Sequence, residues 1–286
     1  MSSEKLEGVI IAIPTPLTKE ENIDVCSLKN LLEYCVGEGA NGIMILGTMG
    51  EGAALLDKER KTLINTTVEQ VGGRIPILAT ASAVSTRKTI QQAIEIDRSG
   101  VDYIVCTSPF YYKYPDPESL LTHMERIDDA VERPLIFYNA PIFTGNPVST
   151  DLLEKILNMK NVVGIKDSSC NYSNFVQLLR NYPDKNQRPG TIMQGDESVF
   201  DSSLLFGADG IISGGGVAFI RLLKQLYTAA ITNDRLNAMK HQNNFTTQLL
   251  ELLSPNPQRN WVYSIKKRLA DENIITNPYV TAPFLS

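Results

Sequence analysis

Eight short runs of apolar, largely β-branched residues recur along the chain, at 8–14, 42–46, 75–80, 103–107, 135–138, 162–166, 191–194 and 210–213. Apolar residues at helical spacing separate them, which predicts helices at 25–38, 57–71, 86–99, 117–131, 150–157, 173–181, 199–206 and 219–228. Ser85 and Ser149 are N-cap types, and Pro117 suits a first helical turn. The runs show almost no polar alternation, as a parallel sheet buried on both faces requires. Eight such units joined by right-handed crossovers close into an α/β fold of the TIM (β/α)8 barrel type more readily than into an open sheet. A doubly wound sheet would need a switch point and, as a rule, a glycine fingerprint after its first strand, and Ile13-Pro14-Thr15-Pro16 supplies none.

A length of 286 residues with 43% hydrophobic content accommodates one such core, since these barrels commonly occupy about 250 residues. The expected division is a barrel over 1–230 and a short C-terminal helical extension over 231–286 packed on it. That extension holds predicted helices at 234–253 and 258–270, separated by Ser254-Pro255-Asn256-Pro257. The net charge of −5 comes without a basic stripe, which argues against a nucleic-acid partner. No run approaches the roughly 18 apolar residues of a bilayer span, and MSSEKLEG lacks a signal peptide's apolar stretch, so a cytoplasmic protein with no membrane partner is expected.

Cys26, Cys35, Cys106 and Cys170 form no C-x-x-C pair, and each is expected to be buried and reduced. The two histidines, His123 and His241, fall within predicted helices. A metal-dependent aldolase or a Ser/His hydrolase would place histidine at strand ends. Neither class fits histidines placed on helices.

In a β/α barrel the reacting groups sit where strands end. The sixth run ends in Gly164-Ile165-Lys166-Asp167, placing a lysine at the end of an apolar wall. Lys166 is either a surface lysine or an amine made nucleophilic by desolvation. The fifth run ends in Tyr138-Asn139-Ala140-Pro141, so Tyr138 should neighbour Lys166 around the rim, as a packed ring or as a phenol that moves protons. After the second run, Gly47-Thr48-Met49-Gly50-Glu51-Gly52 reads equally as a tight connection or as an anion cradle to which the Thr48 hydroxyl adds a donor. Ser213-Gly214-Gly215-Gly216 follows the eighth run, where many barrels bind phosphate, and motivates a competing reading as a phosphosugar isomerase or synthase. Asp196-Glu197 after the seventh run can cap the next helix or bind substrate hydroxyls.

Taken together, these strand ends resemble the family of N-acetylneuraminate lyase and dihydrodipicolinate synthase, which also contains the 2-keto-3-deoxygluconate aldolases. The resemblance runs from about Leu6 to Pro283. Gly47-Thr48-Met49-Gly50-Glu51 looks like the family's G-[TS]-T-G-E carboxylate loop, Tyr138-Asn139-Ala140-Pro141 like Y-N-x-P, and Gly164-Ile165-Lys166-Asp167 like G-[IV]-K-[DEQ]. Ser108-Pro109-Phe110-Tyr111-Tyr112 resembles T-P-Y-Y.

By this resemblance Lys166 forms an imine with a pyruvate-like 2-oxo acid, Tyr138 moves protons, and no metal or organic cofactor is needed. Gly47, Thr48 and Met49 hold the carboxylate, and Tyr111 reaches a neighbouring subunit's site in a homo-oligomer, a dimer or tetramer. Three departures bear on substrate. Met49 replaces the second threonine of dihydrodipicolinate synthases, Phe143 replaces their carboxylate-gripping arginine, and Gly195-Asp196-Glu197-Ser198 is similar to the sialic acid lyases' G-x-D-E with its acids one place early. The combination resembles the sugar-acid aldolases best. It implies a small-molecule substrate such as a 2-keto-3-deoxy sugar acid, whose hydroxyls Gly195, Glu197 and Ser213 would meet.

Overall fold

Short buried strands alternating with amphipathic helices close into a ring in the computed structural model, which describes residues 5–114, 116–254 and 260–284. The strands are β1 (Gly8–Ala12), β2 (Gly42–Ile45), β3 (Ile77–Ala81), β4 (Tyr103–Thr107), β5 (Leu135–Asn139), β6 (Val162–Asp167), β7 (Thr191–Gln194) and β8 (Gly210–Ser213). Each pairs in parallel with its sequence neighbour, and β8 returns to β1 through Gly210 opposite Gly8 and Ser213 opposite Ile11. Closure leaves no sheet edge to pair with another chain. The observed architecture is thus the (β/α)8 barrel.

The helices are α1 (Val25–Gly37), α2 (Asp57–Val71), α3 (Thr86–Asp97), α4 (Pro117–Asp128), α5 (Pro141–Thr144), α6 (Thr150–Leu157), α7 (Tyr172–Asn181), α8 (Phe200–Leu205), α9 (Ile220–Ile231), α10 (Arg235–Leu253) and α11 (Trp261–Asp271). Their starts follow local chemistry. Asp24, Ser85, Asp116 and Ser149 accept hydrogen bonds from backbone N–H groups inside the first turn, and Pro117 occupies the first position of α4. Three turns of helix lie outside the expected pattern: α5, and 3-10 turns at Lys185–Gln187 and Gly215–Ala218. The expected start at 258 for the last helix lies outside the described residues, and α11 begins at Trp261.

Burial of the helical inner faces against the strands supplies the core. Phe200 and Phe245 stack at 6.0 Å, joining α8 to α10, with Phe219 set edge-on against Phe245 at 5.9 Å. Each buried ring contributes roughly 2–3 kcal/mol of transfer free energy. At the other end of the strands, Arg188 pairs with Asp209 at 2.9 Å inside the core, and the same carboxylate oxygen accepts from the Ile192 N–H. No helix among the described residues is long and apolar enough to cross a membrane.

One expectation about the cysteines is corrected. Cys35 and Cys106 are buried, and burial pushes the Cys106 thiol up to about 12. Cys26 and Cys170 are exposed. Cys26 lies on the first turn of α1, and Cys170 lies in the loop after β6 with a left-handed φ of 56°, so neither faces the packed interior.

Candidate active site

The pairing of β5 with β6 sets Tyr138 opposite Lys166 and Asn139 opposite Asp167. Side chains alternate along strands, so the two pairs lie on opposite faces. On one face the Lys166 Nζ lies 4.1 Å from the centroid of the Tyr138 ring and 3.6 Å from the Met44 sulfur. On the other, Asn139 Nδ2 donates to Asp167 Oδ2 at 2.7 Å, and Asp167 Oδ1 accepts from the Ser169 N–H at 3.0 Å and its hydroxyl at 2.7 Å. The outer pair locks the two strands where the inner pair meets.

Lys166 is buried, and desolvation pushes its amine below the ordinary lysine range, with Tyr138 and Glu197 pulling it partly back. Clearance for the side chain comes from Gly195, where a Cβ would lie 3.1 Å from Lys166 Cε and 2.1 Å from Ser168 Oγ. The glycine expected to meet substrate thus has a structural reason of its own.

Glu197 turns inward. Its Oε1 accepts from the Ser213 hydroxyl at 2.5 Å and from the Gly215 N–H at 2.8 Å, while Gly216 N–H donates to Ser213 Oγ at 2.9 Å. Burial pushes the Glu197 carboxyl above its usual range, opposed by Ser213, the glycine amides and Lys166. The glycine turn after β8 therefore already grips an internal carboxylate, which removes the motive for a phosphate site there. Asp196 behaves differently, accepting from the N–H and hydroxyl of Ser198 to close a local turn.

The 47–52 loop is held from several sides. Thr15 Oγ1 donates to Gly50 O at 2.6 Å, and the buried Arg60 donates to Gly52 O and to Thr80 O, each at 2.9 Å. A Cβ at Gly52 would lie 2.0 Å from the Leu46 carbonyl oxygen, so only glycine permits that approach. Thr48 is half-buried, whereas Met49 is buried and packs toward Gly214.

Above the strand ends lies a cavity of about 990 Å³. Gly47, Thr48, Tyr138 and Phe143 line it, together with Thr80, Ser82, Thr107 and the C-terminal residues Trp261 and Phe284. Lys166, Gly195, Glu197 and Ser213 are not among its lining residues; they sit on the β6–β8 side, with Lys166 against the Tyr138 ring. Met44 spans the two groups, its sulfur near Lys166 and its methyl 3.0 Å from where a Cβ on Gly47 would stand. Tyr111, with a left-handed φ of 81°, is 81% exposed and does not line its own chain's cavity. Met44, Thr15, Arg60 and the C-terminal lining escaped the sequence reading, because each resembles an ordinary core or surface residue in isolation. Among the described residues, no three His, Cys, Asp or Glu side chains group as a metal site requires.

The model of the dihydrodipicolinate synthetase family matches residues 5–286. The chain belongs to that family. It is 32% identical over 234 residues to a 4-hydroxy-tetrahydrodipicolinate synthase of Nitrosospira multiformis, covering 82% of this chain and 76% of that one. Among solved structures it is similar to the chloride-inhibited dihydrodipicolinate synthase of Acinetobacter baumannii complexed with pyruvate, at 30% identity and a TM-score of 0.85, covering 95% and 90% of the two chains. The N-acetylneuraminate lyase of Mycoplasma synoviae shares the fold at 23% identity, with a TM-score of 0.86 over 100% of this chain and 93% of that one. Members of the dihydrodipicolinate synthetase family are class I, pyruvate-dependent aldolases and lyases, and this chain is an enzyme of that type.

Proposed function

We propose that the chain reversibly cleaves a 4-hydroxy-2-oxo acid, in particular a 2-keto-3-deoxy sugar acid, to pyruvate and an aldehyde through an imine on Lys166. The observation that carries this reading is the buried Lys166 amine, lowered by desolvation and lying against Tyr138. The neutral amine attacks the C2 carbonyl, and Tyr138 protonates the departing carbinolamine oxygen, which leaves as water. The iminium then accepts the electron pair of the C3–C4 bond while Tyr138 takes the C4 hydroxyl proton, so that an aldehyde departs from an enamine. Protonation at C3 and hydrolysis release pyruvate and restore the lysine. Thr48 and the 47–52 loop hold the carboxylate, and Glu197 and Ser213 receive substrate hydroxyls. Tyr111 of one subunit serves its neighbour in a homo-oligomer, a dimer or a tetramer of dimers, working in the cytoplasm.

A second reading, condensation of pyruvate with aspartate semialdehyde, is favoured by the names of the relatives. Two observations weigh against it. Phe143, 51% exposed on α5 and lining the cavity, offers no cation for a second carboxylate. Arg60, which also lines the cavity, has its guanidinium engaged by two backbone carbonyls. N-acetylneuraminate cleavage ranks third, and a silent 2-oxo-acid-binding relative would have little use for both Lys166 and Tyr138.

Mass spectrometry after borohydride reduction with a panel of 2-oxo acids tests the chemistry: a reduced pyruvate adduct on Lys166 is expected, and an adduct elsewhere or none overturns it. Side-by-side kinetics test the substrate. Efficiency on 2-keto-3-deoxygluconate or its galactose epimer should exceed that with aspartate semialdehyde by at least about tenfold, and the reverse order overturns the choice.

A further inference from the structure

A second buried lysine lies outside the chemistry described so far. Lys266, on α11, donates to Glu51 Oε1 at 2.5 Å and to Tyr279 O at 2.6 Å, with 0% and 2% of the Lys266 and Glu51 side chains exposed. Glu51 Oε2 accepts from both the N–H and the hydroxyl of Thr281, at 2.7 and 2.8 Å. Both carboxylate oxygens of a residue in the 47–52 loop are therefore held by the C-terminal segment.

Glu51 carries a left-handed φ of 53°, which a residue with a Cβ adopts only when its surroundings compel it. Its immediate neighbours are tied by other parts of the chain, Gly50 by Thr15 after β1 and Gly52 by Arg60 on α2. Electrostatics add a sharper requirement. Glu51 lines the same cavity as Gly47 and Thr48 and stands three residues from Thr48. An unneutralised carboxylate there would repel a substrate carboxylate brought to the loop.

We propose that Glu51, Lys266 and Thr281 form a positioning clamp through which the C-terminal segment shapes the 47–52 loop and cancels its charge, setting the affinity for the carboxylate of a 2-oxo acid. The clamp rests on the reading above that this loop receives that carboxylate. Neither Glu51 nor Lys266 touches the reacting atoms. A buried ion pair gains little stability over an apolar pair of the same volume, yet removing one partner strands a charge. The charge balance is thus what the pair contributes to binding.

The test measures the pyruvate concentration giving half-maximal borohydride trapping, on the full chain, with the folded state checked by thermal melting. Lys266→Met should raise that concentration about tenfold, equivalent to about 1.4 kcal/mol of binding free energy, while the yield at saturating pyruvate stays at the wild-type level. The Glu51→Gln/Lys266→Met double variant, which removes both charges, should return to within about threefold of wild type. Thr281→Val keeps both charges and should shift half-saturation in the same direction by less. A merely structural pair would lower the melting temperature without moving half-saturation.

A folded Lys266→Met with wild-type half-saturation, or a double variant no better than the single, overturns the clamp. If Lys266→Met does not fold, Thr281→Val decides, and an unchanged half-saturation overturns the proposal. Wild-type enzyme that pyruvate cannot trap at all would instead overturn the function proposed above.

Discussion

Lys166 Nζ lies 4.1 Å from the centroid of the Tyr138 ring, and the two residues are register partners on adjacent parallel strands. Lys266 makes the contrast. Both lysines are buried and lowered by desolvation, but Lys266 is ion-paired with Glu51, whereas Lys166 makes no ion pair among the described residues and lies against an aromatic face and a thioether. Pyruvate with borohydride should therefore label Lys166 and leave Lys266 unmodified. Peptide mapping of wild type, Lys166→Ala and Lys266→Met checks this: the adduct should vanish in the first variant and persist at saturating pyruvate in the second.

Tyr138→Phe keeps the ring against Lys166 and deletes the hydroxyl. Turnover should fall by about 10²–10⁴, the usual worth of a positioned proton donor, while the imine can still be trapped after long incubation. Steady-state rates paired with trapping yields decide it, and a loss under about tenfold would remove Tyr138 from the proton path.

Glu197 raises the Lys166 amine electrostatically against the dominant lowering by burial. Imine formation requires the neutral amine, so its rate rises as pH climbs through the Lys166 pKa, which lies below the ordinary lysine value. Glu197→Gln removes the opposing charge and should move this rising limb to lower pH. Trapping rates across a pH series measure the shift, and movement to higher pH would contradict the assignment.

Phe143→Arg places a guanidinium on the cavity wall at α5. A charge-assisted contact to a second carboxylate should raise efficiency with aspartate semialdehyde by roughly tenfold or more, with little change for a neutral hydroxyaldehyde. Equal effects on both aldehydes would show that the position does not select by charge.

His123 supplies a pH dependence of stability. Its Nε2 donates to Thr107 O at 3.3 Å, its Nδ1 accepts from the Thr86 hydroxyl at 3.0 Å, and burial lowers its pKa to about 4. The unfolded imidazole has a pKa of about 6.5 and takes a proton that the folded one refuses. The contribution is complete above about pH 6.5 and is lost as pH falls toward 4, by on the order of 3 kcal/mol. Urea unfolding between pH 7 and 4 should show a steeper decline for wild type than for His123→Gln, and parallel curves would refute the assignment.

The barrel was legible because β/α alternation is written in short-range periodicity, and because glycine, lysine and tyrosine at run ends mark the mouth. Helix boundaries drifted by a few residues where caps, not periodicity, decide them: α4 stops at Asp128 instead of 131, and α9 continues to Ile231. What remained hidden is long-range. Lys266 stands beside Lys267 and Arg268 and reads as part of a solvated basic face, and only the fold brings it to Glu51. Met44 reads as strand filling until the ring closes and sets its sulfur beside Lys166. Glu197 lay open between capping and substrate contact, and its bonds to Ser213 and Gly215 join loops that no local pattern connects.

Thr281 reaches Glu51 across 230 positions of sequence. Closing a loop of that length costs entropy that an already organised chain offsets, so this contact is expected among the last to form. Refolding molecules should therefore acquire barrel secondary structure before they acquire tight pyruvate capture. On the proposed clamp, the interval between recovery of circular dichroism and recovery of borohydride labelling at limiting pyruvate would be a clock for the last step of maturation, with the 2-oxo acid reporting whether the chain has finished folding.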